Sequence, residues 1–309
     1  MRILLSGWPS FLHGEATAGD VLSMDRVHHE LVGAGLPVEV AWSPVLRPGA
    51  LALADADPER YTHLVFVCGP AHGTQVGWLH SRFARCHRIA VGVTVIDLAD
   101  PAVTGFHRVL ARDRPGSGPG HNRPDLSSSA PPGRVPVIGV ILAPGQREYG
   151  QRRRHDMVHE RLATWLAERD CTRIPIDTRL DPRDWRHAAT PAQLDSLLGR
   201  LDAVLTTRLH GLVLPLRLGV PVVAVDPVDG GGKVSAQARA WNWPALVTAE
   251  VLLRGDAELR QWWQWCLSEQ GKTTAMQRAA ASPDHEEELM STLLHALAAS
   301  AGVSPPTPR

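Results

Sequence analysis

The sequence predicts an α/β protein made of two doubly wound, Rossmann-like domains that face a cleft. Three observations lead there. Short, continuously apolar runs alternate with helix-like segments, the pattern of a parallel sheet covered on both faces. The alternation stops at Arg112–Arg134, "RDRPGSGPGHNRPDLSSSAPPGR", and then restarts. The chain has 309 residues, too long for one typical domain and suited to two.

The elements follow in order. "RILLS" is a short buried strand, and "GDVLSMDRVHHELVGAG" is a helix ended by Gly33 and Gly35. "PVEVAW", "THLVFVCG" and "RIAVGVTV" are further strands, with the helix "TQVGWLHSRFARC" between the last two. The Pro, Gly and Ser of the break leave it without apolar periodicity, so it reads as an interdomain linker. The second half opens with the strand "VPVIGVILAP". "RHDMVHERLATWLAERD" is a helix, "CTRIPID" a strand and "TPAQLDSLLGRL" a helix. "LDAVLTTRLHGLVLPLRLGVPVVAVD" supplies strand, helix and strand, and two more helices lie around "DAELRQWWQWCLSE" and "DHEEELMSTLLHALAA". The expected organisation is a first domain over residues 1–114, a linker over 115–134, a second domain over 135–300 and a disordered tail over 301–309.

Composition narrows the function. The formal net charge is zero, which implies no nucleic-acid or anionic-membrane partner. The four cysteines are far apart with no C-x-x-C pair, so neither a zinc site nor a disulfide framework is expected and a reducing cytoplasm fits best. No apolar run reaches the length of a membrane span. The fifteen histidines are scattered and do not amount to a metal site.

The chemistry gathers at one corner. Strand Leu201–Leu205 runs into Thr206, Thr207, Arg208, His210 and Gly211 at the start of a helix. Ligands of doubly wound sheets bind at the carboxyl ends of strands, where helix N-termini offer free N–H groups and partial positive charge. Thr206 or Thr207 can cap, and Thr207 is expected among the substrate-binding residues with Arg208 and Gly211. Arg208 brings a fork for an anion, His210 a proton near neutral pH, and Gly211 a bare backbone that a ligand can approach.

These residues carry a resemblance. "TTRLHGLVLPLRLGVPVVAVD" followed by "GGGKVSAQARAWNWP" resembles the C-terminal motif of the polysaccharide pyruvyl transferase family. "GEATAGDVLSMDRV" is similar to that family's N-x-G-D segment, and "VLARDRPGS" to its R-D-x-x-S strand end. Here the asparagine is replaced and Ser117 is displaced by one position. The resemblance implies a two-domain, GT-B-like fold and transfer of a pyruvyl group from phosphoenolpyruvate to two hydroxyls of a saccharide, forming a ketal. It implies no cofactor. Arg208 would bind the donor's phosphate or carboxylate, and His210 would be the general acid. Such a reaction needs anion clamps and a proton donor, not a metal.

Other residues carry two readings each. Asp20, after Gly19, either meets an acceptor hydroxyl at the cleft or caps its helix. Arg147 in "GQREYGQRRR" is the expected second anion clamp, while Arg152–Arg154 read as a solvated basic run. Lys233 in "DPVDGGGKVS" does not belong to a Walker A loop, because Pro227 and Val234 occupy required positions. The resemblance puts it near the donor; a solvated loop lysine is the alternative. His155 and His159 read as a surface pair, and Trp262, Trp263 and Trp265 as packing residues. Two other functions fit the same architecture: a nucleotide-sugar glycosyltransferase, which would hold a diphosphate at the same corner, and a non-catalytic homologue that binds a glycan or a partner.

Overall fold

The computed structural model describes residues 1–12, 16–116, 118, 122–281 and 284–301. The chain divides into two units, Met1–Gly133 and Arg134–Arg309.

In the first unit every strand is parallel to its neighbours. β1 (Ile3–Gly7) leads to α1 (Ala18–Gly33) and β2 (Val38–Val40), then β3 (His63–Val67), α2 (Thr74–Arg82) and β4 (His87–Thr94). The short α3 (Pro101–Thr104) and β5 (Arg108–Asp113) complete the sheet, whose order is β2-β1-β3-β4-β5. The apolar runs divide by the two-residue period of a strand. Leu4, Leu64, Phe66 and Ala90 join the core on one face, Ile3, Leu5, Val65 and Val67 that on the other.

The second unit repeats this plan. β6 (Val137–Ile141), α4 (His155–Ala167), β7 (Thr172–Pro175), α5 (Pro191–Leu198), β8 (Ala203–Thr206), α6 (Leu209–Leu216) and β9 (Val222–Asp226) follow in order. α7 (Lys233–Ala240), β10 (Leu246–Thr248), α8 (Ala249–Arg254), α9 (Ala257–Leu267), α10 (Glu269–Ala280) and α11 (Asp284–Ala301) finish it. The sheet order is β10-β9-β8-β6-β7. Counted within its own unit, this is the first sheet's 2-1-3-4-5 order read from the other edge. The predicted α/β class with two Rossmann-like units therefore stands. The tryptophans of α9 pack as expected: Trp263 is buried with its ring 5.0 Å from Trp165, edge to face.

In each sheet the chain leaves the first strand toward one edge and returns on its other side. The switch points lie between β1 and β3 and between β6 and β8. Connections diverge there at the carboxyl ends of the strands, which opens a crevice for ligands.

The predicted linker is corrected in its second half. Residues 122–133 belong to the first unit. A short 3-10 turn, Leu126–Ser129, packs on α1, and Leu126 fills the space above Gly92, where an added Cβ would lie 2.8 Å from its Cδ1. Asp125 forms an ion pair with Arg112, which also donates to Asp113 (2.7 Å) and Thr94 (2.7 Å). Burial pushes the Asp125 carboxyl up, but Ser127's hydroxyl and N–H and the Arg112 guanidinium outweigh it and hold the pKa at about 2. Ser117 and residues 302–309 of the predicted tail lie outside the described residues. Among the described residues no helix is long and apolar enough to cross a membrane, and no group of three or more His, Cys, Asp or Glu is placed to hold a metal ion.

Candidate functional site

The corner after β8 lies at the second unit's switch point, stitched to the end of β6. Thr206 is fully buried; its hydroxyl donates to the Ile141 carbonyl (2.8 Å) and accepts the Arg208 N–H (2.9 Å). The Thr207 N–H donates to the same carbonyl (3.1 Å), and its hydroxyl accepts the Ala143 N–H (2.9 Å). These bonds extend the β6–β8 pairing past the last strand residues. They turn Arg208 into the N-cap position of α6, with extended backbone angles and no cap bond from its side chain.

Two predicted ligand contacts, Thr207 and Gly211, also hold the corner together. Thr207 is 2 % exposed, and its hydroxyl is committed to Ala143 and to His159, whose Nε2 lies 3.1 Å away. Gly211 is buried, and an added Cβ would lie 2.1 Å from Thr206 Oγ1 and 2.9 Å from Ile141 Cγ2. The missing side chain makes room for the strand under the helix.

Arg208 and Arg147 do come together. They line one depression of about 430 Å³ with Ala143, Gly145, Gln146 and Glu148. Arg147 is exposed, and no ion pair holds it among the described residues. Arg208 is largely buried and donates through one terminal nitrogen to Asp177 (2.7 Å); its other nitrogens have no partner among the described residues. Burial raises the Asp177 carboxyl, but the N–H and guanidinium of Arg179 and the charge of Arg208 outweigh it and keep the group below its ordinary range. Asp177 thus holds one edge of the Arg208 fork. Lys233 begins α7 and sits 3.8 Å from Glu148, a lining residue, without itself lining the depression. His210 occupies the first turn of α6, exposed to solvent, and is not among the residues lining the depression.

The loop after β6 is anchored by residues expected to be solvated. Arg152 donates to the Asp229 carbonyl (2.9 Å) and the Gly231 carbonyl (2.7 Å). Arg154 pairs with Asp229 (2.5 Å), and Arg153 with Asp156 (3.0 Å). The partner loop is fixed from below: buried Asp226 accepts N–H bonds from Val228, Gly232 and Ser235 at 3.1, 2.7 and 2.8 Å. Through Arg152 and Arg154 the basic run straps the loop after β6 to the loop after β9.

The histidine pair is corrected as well. His155 is 1 % exposed, with no partner for either ring nitrogen among the described residues. His159 is half-buried against Thr207. Burial lowers the pKa of both rings; the charges of His159 and Arg153 lower His155 further, and Asp156 opposes the shift at His159. Sequence reasoning missed His159 and Asp177 because their partners lie 48 and 31 residues away. The spacing of 155 and 159 on one helix face was the available signal for His159.

In the first unit, the α1 cap is Thr17 and not Asp20. Asp20 is the third helical residue and completes a capping box: the Asp20 N–H donates to Thr17 Oγ1 (3.2 Å), and the Thr17 N–H and hydroxyl donate to Asp20 Oδ2 (3.0 and 2.7 Å). Its other oxygen accepts from the Cys68 thiol (3.1 Å) at the end of β3, where Cys68 takes a φ of 56°. Burial, then the Asp20 contact, pushes that thiol's pKa well up. The space above Gly19 meets only Thr17 Oγ1 and Ser127 Oγ, at 3.7 and 3.8 Å. Gly19 and Asp20 thus lie on the α1 side of the first switch point.

Residues 159–229 match the polysaccharide pyruvyl transferase family, a stretch running from His159 through the R-x-H-G corner to Asp229. Comparison with curated proteins gives no match. Among solved structures the chain is similar to the spinosyn rhamnosyltransferase SpnG complexed with thymidine diphosphate, at 12% identity and a TM-score of 0.33, over 91% of this chain and 95% of that one. It is similar to the calicheamicin glycosyltransferase CalG4 at 15% identity and 0.32, over 93% and 98%. A third is the E. coli heptosyltransferase WaaC with ADP, at 12% identity and 0.26, over 88% and 100%. Likeness at these scores carries no argument about activity; the fold class rests on the two parallel sheets themselves.

Proposed function

We propose that this chain is a GT-B-like transferase that moves a pyruvyl group from phosphoenolpyruvate to hydroxyls of a glycan or glycan precursor in the cytoplasm. One observation carries the reading. Arg208, within the stretch matched to the pyruvyl transferase family, shares a depression with Arg147 at a switch point, and Lys233 lies 3.8 Å from Glu148 of its lining. Phosphoenolpyruvate bears a phosphate and a carboxylate a few bonds apart, so two guanidinium groups on one small depression suit it.

In the proposed reaction the enol methylene takes a proton as a saccharide hydroxyl attacks the neighbouring carbon. Phosphate then leaves and a second hydroxyl closes the ketal. His210, at the exposed first turn of α6, is the proposed acid. Arg208 and Arg147 hold the anionic groups in place and stabilise charge on the departing phosphate. Asp20 and Gly19 are the proposed acceptor-side residues.

A thermal-shift series with the intact chain tests the reading. Phosphoenolpyruvate should raise the melting temperature of the wild type and not of Arg208→Ala. Phosphate release from phosphoenolpyruvate should then require a saccharide acceptor. Stabilisation by nucleoside diphosphates alone would instead identify a glycosyltransferase, and phosphoenolpyruvate binding with no turnover on any acceptor a non-catalytic homologue.

A further inference from the structure

The first unit's switch point holds a second cavity. Described residues that follow β1, β2 and β3 line an open cavity of about 550 Å³ at the carboxyl edge of the sheet. That is the size of a small-molecule site in the place where doubly wound folds bind ligands. Phe11 and Leu53 are buried in its wall, and Phe11 is fixed by ring contacts with Trp8 (5.6 Å) and Phe66 (6.4 Å). Trp78, on α2, lines it while remaining 42 % exposed.

The lining chemistry selects the ligand. Among the described residues no charged side chain lines the cavity, so they offer nothing to a phosphate or a carboxylate. Its polar side chains are Ser10, Thr74 and Gln75. Ser10 is already used, accepting the Gly7 N–H (3.1 Å) and donating to the Ala41 carbonyl (2.6 Å). A sugar ring seated there would leave most of its hydroxyls without partners, at a cost for each. An aryl ring or a short alkyl chain would lose nothing and would cover the indole of Trp78.

We propose that this cavity takes the apolar aglycone of an acceptor glycoside, an aryl ring or a short alkyl chain attached beside the sugar that is modified. The word acceptor rests on the transferase reading above; the apolar site itself does not. The site differs from the Arg147–Arg208 depression in position, lining and charge.

Calorimetric titration of the full-length protein tests it. The probes are 4-methylumbelliferyl β-D-galactopyranoside for the aryl arm, hexyl β-D-galactopyranoside for the alkyl arm, and free galactose. At least one glycoside should bind at least about tenfold tighter than galactose, with a negative heat-capacity change. Ala54→Phe, which fills the cavity from its exposed rim, and Trp78→Ala, which removes its wall, should each weaken that glycoside by at least about tenfold. Circular dichroism and melting temperature check that both variants fold. Equal binding of glycosides and galactose, or a preference that survives both substitutions, overturns the proposal. The phosphoenolpyruvate thermal shift is read separately. If it fails while aglycone binding depends on Trp78 and Ala54, the transferase reading falls and the apolar site stands; the reverse pattern removes the site alone.

Discussion

Gly211→Ala separates two accounts of the R-x-H-G corner. If the glycine served only to admit a ligand, alanine would cost no stability. It would add about 1 kcal/mol of helix propensity. The packing argues the opposite. The new Cβ would lie 2.1 Å from Thr206 Oγ1 and 2.9 Å from Ile141 Cγ2, and Thr206 is fully buried with its hydroxyl bonded on both sides. Overpacking of this kind costs about 1–3 kcal/mol. Displacing the hydroxyl strips partners from the Ile141 carbonyl and the Arg208 N–H, at about 1 kcal/mol or more each. Less the propensity gain, the net destabilisation is about 2–4 kcal/mol. Guanidinium unfolding followed by circular dichroism should show the second unit's midpoint falling with its slope unchanged. Thr206→Ala removes the clashing atom, so the double variant should be less destabilised than the sum of the singles, with a coupling of about 1 kcal/mol or more. A midpoint that rises in Gly211→Ala would refute the packing account and return the glycine to the ligand.

Three further outcomes follow from the same geometry. Arg208→Ala should weaken phosphoenolpyruvate binding by about 1.5–3 kcal/mol, and Arg208→Lys by less, in calorimetric titration; an unchanged affinity in Arg208→Ala removes the clamp. His210→Gln should lower turnover roughly 10²–10⁴-fold with donor affinity nearly intact, and near-normal turnover would send the search for the acid elsewhere. His155 and His159 have folded pKa values below the ordinary 6.5, so the unfolded chain takes up their protons first. Their contribution to stability is present above about pH 6.5 and lost as pH falls through the lower folded values. Melting temperatures measured downward from pH 7.5 should fall across that window, and His155→Leu should flatten the fall; an unchanged slope in the variant would show that the buried ring is not its source.

What the sequence disclosed, and what it hid, depended on how far each signal travels along the chain. Strand positions were legible because burial on both faces leaves a contiguous apolar run, as in Ile3–Gly7 and Val222–Asp226, where every residue is buried. The corner at Arg208 was legible because its residues are adjacent in sequence and the turn from strand to helix is local. Composition misled at residues 122–133. Pro, Gly and Ser report the absence of a repeating backbone, not the absence of contacts. One leucine over Gly92 and one aspartate on Arg112 fasten that stretch to the first unit. The same limit applied to Arg152–Arg154, which look solvated until the Asp229–Gly231 carbonyls arrive from 77 and 79 residues away.

That difference bears on how the Arg147–Arg208 depression is built. Arg208 is placed by its own strand and helix, so its position is a property of one sheet corner. Arg147 stands on a loop whose end is tied through Arg152 to the loop after β9, and that loop hangs on buried Asp226. The two guanidinium groups therefore depend on different parts of the unit: one on the Thr206 and Thr207 stitches, the other on a carboxylate at the end of a neighbouring strand. The family-matched stretch includes Arg208, Asp226 and the His159 contact, but not Arg147. The match thus covers one guanidinium group of the depression and Asp226, while Arg147 joins Arg208 through the three-dimensional arrangement alone.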